Sequence, residues 1–250
     1  MPIIVELSKE HETLPLAELK ATLSIYDKNY KISIDGNLAT VNSTINPEIL
    51  LSRLAMAKKV NGKEVSQDFE KRRPKNRPFS HPASMAPKLA RVMVNLSRAR
   101  ANTILLDPFC GTGGILLEAA LMGCKIAGIE IGSEVYEGCV QNLEHFGILE
   151  YNLIEGDMLK TKVMADTVAT DPPYGKNTKL SSPLENFYTE ALTVILDELK
   201  SGGYCCISSQ ASVNLPKLAE FVGFSAIEDH IYYVNKDLSK RIYVLQRRNE

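Results

Sequence analysis

The sequence lacks any run of about eighteen apolar residues, so it predicts no membrane-spanning helix. Its first residues, Met1 to Glu6, lack the basic stretch and the cleavage site of a secretion signal. The five cysteines are an odd number and include no Cys-x-x-Cys pair, which argues against both a disulfide framework and a cysteine zinc site. Together these absences predict a protein of the reducing cytoplasm.

The net charge of −1 hides a strongly basic segment. Between Lys58 and Arg100, twelve lysines and arginines stand against three acidic residues. Such a surplus predicts contacts with a phosphate backbone, while a solvated, charged connector is the alternative interpretation. The candidate phosphate contacts are Lys71, Arg72, Arg73, Lys75 and Arg77.

The 250 residues divide by pattern into three parts. Residues 1–57 predict a small α+β domain, in which Thr13 caps a helix. Residues 58–87 form a basic linker, and its many prolines predict that it contains no regular element. Residues 88–250 predict a larger domain.

The larger domain alternates strands and helices, which predicts an α/β fold with a mostly parallel, seven-stranded sheet and helices on both faces. Such sheets bind ligands at the carboxyl ends of the strands, where the strand order reverses. The predicted strands lie near residues 104–107, 125–129, 151–155, 167–170, 203–208, 226–234 and 241–246. The predicted helices lie near residues 114–122, 134–146, 184–200 and 212–222.

The strongest chemical signal follows the fourth predicted strand of this domain. Its residues are Asp171, Pro172, Pro173, Tyr174 and Gly175. Two prolines fix φ near −65° and keep the residues before them extended, so the chain leaves the strand in one rigid conformation. The Asp171 carboxylate and nearby carbonyl groups then offer acceptors beside an aromatic ring, which suits the planar amino group of a nucleobase. We predict that the first four residues are catalytic; a simple turn is the alternative.

A glycine-rich turn, from Asp107 to Gly114, follows the first strand of the same domain. Gly111 and Gly113, with Thr112 between them, permit positive φ and a close approach of ligand to backbone. The turn does not have the G-x-G-x-x-G pattern, and no lysine follows it as in a phosphate loop. We therefore predict that the turn and Asp107 bind a nucleoside with an amino-acid tail.

Two more acidic residues follow the next strands. Glu130 ends the second strand, where a carboxylate accepts ribose hydroxyl groups in nucleotide-binding α/β folds. Asp157 follows the third strand and is predicted to accept an adenine amino group, with the Met158 N–H facing the ring; a plain turn is the alternative. Four carboxylates at one edge also suit a divalent metal, but no histidine joins them, so we predict no metal site.

The glycine turn and the Asp-Pro-Pro-Tyr stretch together resemble the S-adenosyl-L-methionine (AdoMet)-dependent methyltransferases that modify exocyclic amino nitrogens. Residues 70–250 resemble more narrowly the archaeal and eukaryotic tRNA guanine-N2 methyltransferases that act on guanosine 10. This narrower resemblance is carried by four blocks: Arg72-Arg73-Pro74, Arg77-Pro78-Phe79-Ser80-His81-Pro82, Pro87-Lys88-Leu89-Ala90-Arg91 and Val94-Asn95-Leu96.

The resemblance implies AdoMet as methyl donor, a Rossmann-like AdoMet-dependent methyltransferase fold, and transfer to a guanosine of tRNA whose base stacks on Tyr174. It also implies an N-terminal RNA-binding region with a THUMP module. Residues 1–57 resemble the start of that region, and we expect a shortened THUMP core. Relatives often act with a small zinc-binding activator subunit, so such a partner is a further expectation.

Two other functions stay open at this point. DNA adenine-N6 and cytosine-N4 methyltransferases share the Asp-Pro-Pro-Tyr stretch, although the Arg-Pro-Phe block favours tRNA. A non-catalytic subunit that binds AdoMet or RNA would keep the fold without transferring a methyl group. Against that subunit, a candidate residue occupies every expected position of the site.

Overall fold

The structure is a computed structural model that describes residues 1–82, 84–173, 184–235 and 238–249. These residues form two sheets, one antiparallel with five strands and one mostly parallel with seven. In this part of the chain, no helix has both the length and the apolar character needed to cross a bilayer.

The first sheet is built from the N-terminal residues. Its strands are β1 (Ile3–Leu7), β2 (Lys31–Asp35), β3 (Leu38–Asn42), β4 (Ala57–Val60) and β5 (Lys63–Glu64). They pair antiparallel in the order β2-β3-β1-β4-β5. Two helices, α1 (Leu14–Tyr26) and α2 (Pro47–Arg53), share a buried aliphatic core with the sheet. The sheet continues past residue 57, where we placed the end of the first domain.

The start of α1 differs from the prediction that Thr13 caps it. The Thr13 hydroxyl makes no capping bond and lies 2.8 Å from Nδ1 of His230, in the second sheet. Instead, Nδ1 of His11 accepts the backbone N–H groups of Thr13 and Leu14, each at 3.1 Å. The imidazole thus satisfies N–H groups that have no partner within the helix. The helix start is fixed by docking between the two sheets.

The basic segment 58–87 contains more regular structure than its prolines predicted. It holds β4 from its second residue on, all of β5, and two 3-10 helices, Phe69–Arg72 and Pro74–Asn76. Pro74 occupies the first helical position, where the missing N–H has no intrahelical acceptor to lose. The prediction was wrong because β4, β5 and the first 3-10 helix precede every proline of the segment, and Pro74 itself starts a helical turn.

The second sheet has the predicted α/β arrangement. Its strands are β6 (Ile104–Asp107), β7 (Lys125–Glu130), β8 (Asn152–Glu155), β9 (Ala165–Thr170), β10 (Leu199–Gln210), β11 (Phe224–Asn235) and β12 (Leu238–Arg247). The helices that follow α2 are α3 (Pro87–Leu96), α4 (Gly114–Leu121), α5 (Ser133–His145), α6 (Leu184–Glu198) and α7 (Leu215–Val222). The strand order is β11-β12-β10-β9-β6-β7-β8, and only the pairs that involve β12 are antiparallel.

Helices cover both faces of this sheet, as predicted. Successive strand residues point to opposite faces. Leu105 and Cys206 belong to a core with α3 and α4, whereas Leu106 and Cys205 belong to a second core with α6 and α7. The strands are therefore buried on both sides, which explains their nearly continuous apolar sequences.

Helix α3 joins the two sheets through a buried polar network. Glu18 of α1 accepts the N–H groups of Ala55 and Met56 at 2.9 and 2.8 Å, and the Asn95 amide of α3 at 2.8 Å. The Asn95 amide oxygen in turn accepts Nε–H of Arg53 at 3.2 Å. Burial raises the pKa of Glu18, and its hydrogen bonds oppose that rise. Satisfied buried polar groups of this kind favour one relative placement of the two sheets.

A buried ionic cluster lies beside this joint. Glu118 of α4 is inaccessible to solvent, and its two carboxylate oxygens accept from Nε of Arg72 at 2.7 Å and Nε of Arg91 at 2.8 Å. An exposed counterpart exists at Glu70, which pairs with Arg73 at 3.0 Å and Lys75 at 3.2 Å. The two carboxylates differ chiefly in burial.

We expect Glu118→Ala to lower the free energy of unfolding by about 3–5 kcal/mol, because two buried guanidinium groups lose their counter-charge. Glu70→Ala also removes a carboxylate with two cationic partners, but it should change this free energy by no more than about 0.5 kcal/mol. Urea unfolding at pH 7 measures both. Similar losses in the two variants would contradict the importance of burial.

Candidate active site at the carboxyl edge of the second sheet

Four carboxylates lie at the carboxyl ends of four parallel strands. Asp107 ends β6, Glu130 ends β7, Asp157 follows β8 and Asp171 follows β9. The strand order reverses here, because β7 and β8 extend the sheet on one side of β6 while β9 lies on the other. The predicted carboxylate at the end of each strand is confirmed, and this reversal is where α/β sheets bind ligands. The binding roles of the four residues stay predictions.

A hydrogen bond joins the two sequence motifs beneath this edge. Oγ1 of Thr170 donates to Oδ1 of Asp107 at 2.7 Å, and the Phe109 N–H donates to the same oxygen at 3.2 Å. Thr170 directly precedes Asp171, and β6 pairs with β9. The glycine turn and the Asp-Pro-Pro corner are therefore neighbours at one sheet edge.

Asp107 is the most perturbed acid of the site and is only 2% exposed. Burial raises the pKa of Asp107 to about 7, and the negative charges of Asp171 and Glu130 contribute to the rise. The hydrogen bonds from Thr170 and Phe109 oppose it. A carboxyl group with a pKa this far above its usual range, next to other acids, is typical of a functional site.

The glycine turn depends on its missing side chains. Gly111 and Gly113 have φ of +52° and +78°, and a Cβ on Gly113 would lie 2.7 Å from Sγ of Cys139. The Gly111 N–H donates to Oε2 of Glu130 at 3.0 Å, and the Gly132 N–H donates to Oε1 at 2.9 Å. A carboxylate has about four lone-pair sites, so these bonds orient Glu130 and are compatible with further hydroxyl donors.

Asp157 lies in a turn that its own side chain stabilises. Oδ1 accepts the Leu159 N–H at 3.0 Å, and Oδ2 lies 3.5 Å from Nζ of Lys160. The Met158 side chain is buried in the core that α6 and α7 share with the sheet. The turn interpretation is thus correct for the backbone, and the contact with adenine stays a prediction.

Sequence reasoning missed Asn142 of α5, which fastens the Arg-Pro-Phe block to the glycine turn. Its amide oxygen accepts the Phe79 N–H, and its Nδ2 donates to the carbonyl oxygens of Phe79 and Thr112, all at 3.0 Å. The Phe79 ring packs on Gly138, where a Cβ would lie 2.1 Å from it. Oγ of Ser84 lies 2.9 Å from Oγ1 of Thr112. The Arg-Pro-Phe block therefore forms one wall of the glycine turn. In the sequence, the only sign of this contact was Gly138, a glycine inside a predicted helix.

The structure corrects the prediction that Arg72 and Arg77 contact phosphate groups. They are only 7% and 6% exposed. Arg72 pairs with Glu118, and Nε of Arg77 donates to the carbonyl oxygen of Arg72 at 2.8 Å. Burial lowers the pKa of Arg77. A count of charges along a segment cannot distinguish exposed guanidinium groups from those that pack beside a carboxylate of a distant helix.

The remaining basic candidates of this segment are exposed but paired. Lys71 bonds to Asp68 at 2.9 Å, while Arg73 and Lys75 share Glu70. Their side chains are 57–74% exposed, so they can reach a partner molecule. The surface surplus of positive charge is smaller than the sequence suggests, because acids of the same segment offset part of it.

The Asp171 carboxylate is largely buried, and its polar partners among the described residues include Lys240 and Ser208. Nζ of Lys240 lies 2.6 Å from Oδ2, and Oγ of Ser208 donates to Oδ1. The two prolines that follow Asp171 are buried and half-buried. Tyr174, the predicted stacking residue, lies outside the described residues.

A model of the RMKL-like methyltransferase domain matches residues 74–239, which contain both the glycine turn and the Asp-Pro-Pro corner. The chain belongs to this family. A DNA methylase model matches residues 4–141, a range that includes the glycine turn but ends before the corner. The RMKL-like match is thus the one that spans the whole edge.

Named relatives agree with this family. The tRNA (guanine(10)-N2)-dimethyltransferase of Methanothermobacter thermautotrophicus is 39% identical over 202 residues, 80% of this chain and 58% of the relative. The enzyme of the same name from Pyrococcus abyssi is 37% identical over 187 residues, 73% of this chain and 56% of the relative. The chain therefore spans little more than half the length of these curated relatives.

Solved structures confirm the fold of this methyltransferase domain. The crystal structure of TrmN from Thermus thermophilus superposes with a TM-score of 0.59 at 19% identity, over 87% of this chain and 59% of TrmN. A methyltransferase from Pyrococcus furiosus superposes with a TM-score of 0.54 at 18% identity, over 67% of this chain and 87% of that protein. At such identities the likeness shows the shared Rossmann-like fold alone.

We expect Gly113→Ala to lower the free energy of unfolding by more than the roughly 1–2 kcal/mol that positive φ costs an L-residue, because the new methyl group also meets Cys139. Gly36→Ala is the matched control: its φ is +57°, but no atom lies within 4 Å of the new Cβ. Urea unfolding of both variants separates the cost of positive φ from the cost of the contact with Cys139. Equal losses would mean that Cys139 moves aside without cost.

Asp107 should make the folded protein less stable as pH rises. The folded state keeps the Asp107 proton up to a pKa of about 7, whereas the unfolded chain loses it near the usual pKa of 3.8. The stability that this proton contributes is therefore present below about pH 4 and is lost as pH rises through 7. Asp107→Asn cannot ionise, so its unfolding free energy relative to wild type should increase by a few kcal/mol over that window.

Urea unfolding at pH 4, 6 and 8 measures this dependence. Asp35→Asn, at the exposed end of β2, is the control and should follow wild type at every pH. A gain of Asp107→Asn that does not vary with pH would contradict the raised pKa.

Proposed function

We propose that this chain transfers methyl groups from AdoMet to the exocyclic N2 atom of a guanosine in tRNA, guanosine 10. The observation that carries the proposal is the bond from Thr170 to Asp107, which brings the glycine turn and the Asp-Pro-Pro corner together. The relatives at 37–39% identity are named for this reaction. Because the chain spans 58% of the first of them, its own activity and substrate are inferred.

The residues of the edge fit AdoMet by their chemistry. AdoMet supplies a reactive methyl group on a positively charged sulfur. Gly111 and Gly113 lack the side chains that would keep a ligand away from the turn. Glu130 and Asp157 offer acceptors for ribose hydroxyl groups and for an amino group. The Met158 N–H is the proposed donor to the adenine ring.

In the proposed mechanism, the Asp171 carboxylate accepts a hydrogen bond from the guanine amino group. This bond keeps the nitrogen lone pair directed at the methyl carbon, and such alignment supplies much of the rate. The nitrogen would form its bond to the methyl carbon as the bond between that carbon and sulfur breaks, and would then release a proton. The guanine leaves its stack to reach the edge, at a cost of a few kcal/mol, and we propose that Tyr174 stacks on it.

Exposed basic residues are the proposed contacts with tRNA phosphates. Lys71, Arg73 and Lys75 stay candidates because their side chains reach solvent. An open groove of about 390 Å³ beside the same segment is lined by Lys58 and Lys59 among others, which extends the positive surface onto the first sheet. The zinc-binding activator subunit and the cytoplasmic location rest on the sequence arguments alone.

A DNA amino-methyltransferase is the second candidate, favoured by the DNA methylase match over residues 4–141. Incubation with labelled AdoMet and either unmodified tRNA or duplex DNA distinguishes the two. Mass spectrometry of the nucleosides then identifies the base and whether it carries one or two methyl groups. The names of the archaeal relatives favour two. Label in DNA but not in tRNA would overturn the proposal.

We expect Asp171→Ala to lower methyl transfer to tRNA by at least about a hundredfold, because the amino group loses its acceptor and its alignment. The dissociation constant for AdoMet should stay within about threefold of wild type, since the predicted cofactor contacts lie on other strands. The control is Asp229→Ala, because Asp229 is an exposed carboxylate on β11 that pairs with Arg241 of β12. Wild-type turnover in Asp171→Ala would remove Asp171 from the mechanism.

A further inference from the structure

The partners of Asp171 come from strands that neither motif includes. Ser208 lies on β10, where the preceding residue, Ile207, pairs with Thr170 of β9. Lys240 lies on β12, opposite Gln210 of β10. The Lys240 side chain therefore crosses β10 to reach the corner at the end of β9. Side chains from β10 and β12, the next two strands of the sheet beyond β9, therefore contact the Asp171 carboxylate.

The pair is shielded from solvent. The side chains of Lys240 and Asp171 are 13% and 14% exposed, and their charged atoms are 2.6 Å apart. By comparison, the Lys200 side chain, which pairs with Asp166 at the other end of β9, is 60% exposed. A lysine that serves only to attract phosphate groups binds them better when its side chain is exposed to solvent. The Lys240 side chain has little such exposure.

Lys240 also offsets a local concentration of negative charge. The charges of Asp171 and Glu130 act on Asp107. Burial raises the pKa of Tyr188 of α6, and the negative charge of Asp171 adds to that rise. Acids so close together disfavour each other's ionised form. The ammonium group of Lys240 is the cation in contact with Asp171 among the described residues.

We infer that Lys240 and Ser208 are positioning residues for methyl transfer: they hold the Asp171 carboxylate in one orientation toward the amino group. This inference rests on the proposed function, because it assumes that Asp171 accepts a hydrogen bond from the substrate. The ammonium and hydroxyl groups approach different oxygens, which fixes the plane of the carboxylate. With about four lone-pair sites, the carboxylate can accept a third donor from the substrate.

The same contacts indicate what Asp171 does not do. Each oxygen of the Asp171 carboxylate already accepts a hydrogen bond, so the group is placed to orient a further donor rather than to take up its proton. The proton released by the methylated nitrogen therefore leaves by another route, to solvent. Lys240 thus favours alignment by Asp171 over general-base catalysis.

The test compares steady-state methyl transfer to tRNA in four variants. We expect Lys240→Met to lower kcat by about tenfold to a hundredfold, because a misaligned acceptor affects the transfer step. KM for tRNA and the dissociation constant for AdoMet should stay within about threefold. Lys240→Arg should retain most of kcat, Ser208→Ala should lower it more mildly, and Lys200→Met, the matched control, should equal wild type.

A double-mutant cycle with Asp171→Asn shows whether Lys240 acts through Asp171. The asparagine keeps an acceptor oxygen but no charge, so single-turnover transfer can be followed. If Lys240 works through the carboxylate, Lys240→Met should cause little further loss in the Asp171→Asn background. Circular dichroism checks that each variant is folded, and Lys240→Arg supplies the comparison if Lys240→Met is not.

Distinct outcomes separate the two proposals. A raised KM for tRNA with unchanged kcat in Lys240→Met would identify a phosphate contact and overturn this inference alone. An equal loss of methyl transfer from Lys240→Met in the wild-type and Asp171→Asn backgrounds would also overturn this inference alone. The same holds if Lys240→Met has wild-type activity while the enzyme still depends on Asp171. No methyl transfer to tRNA by wild type, or full activity in Asp171→Ala, would overturn the proposed function and this inference with it.

Discussion

The site depends on a buried hydrogen bond from Thr170 to Asp107. These residues are 63 positions apart, and they meet because the chain returns to lay β9 beside β6 after building β7 and β8. In a low-dielectric interior such a bond is stronger than in water, and loss of either partner leaves a polar group unsatisfied. One contact thus fixes the relative positions of two motifs, each of which alone is compatible with an ordinary turn.

The residues around this bond show why local patterns predicted so much of the edge. Strands and helices have periods of 2.0 and 3.6 residues, and prolines and glycines act on the backbone where they stand. The carboxylates could be placed because Asp107 and Glu130 end a strand and Asp171 directly follows one. The identity of their partners could not, because Lys240 and Ser208 are brought to Asp171 only by the order of β10 and β12 in the sheet.

The failed predictions have the same origin in long-range packing. Arg72 and Arg77 lie in a segment that reads as a charged connector, but Arg72 is buried beside Glu118, which lies 46 residues further along the chain on α4, and Arg77 bonds to the carbonyl oxygen of Arg72. Thr13 has the preferred chemistry of a helix cap. It lost that role because docking against His230 competes for its hydroxyl group, and a preceding imidazole accepts the helix N–H groups instead. In each case a tertiary contact overrode a local preference.

The carboxyl edge of the second sheet and the exposed lysines beside the groove on the first sheet carry opposite charges and therefore suit different parts of the proposed substrates. An edge with four carboxylates attracts a sulfonium cation and amino donors, but it repels phosphate groups. The backbone of a nucleic acid must then be held at some distance from the base that is modified. The exposed lysines beside the groove on the first sheet have the required sign. If one substrate binds at both sheets, the distance between the two binding surfaces must be fixed. The buried hydrogen bond between Asn95 and Glu18 holds the two sheets in one relative position. If the proposed function is correct, the polar joint through α3 would fix the distance between a phosphate backbone held at the first sheet and the base that reaches Asp171.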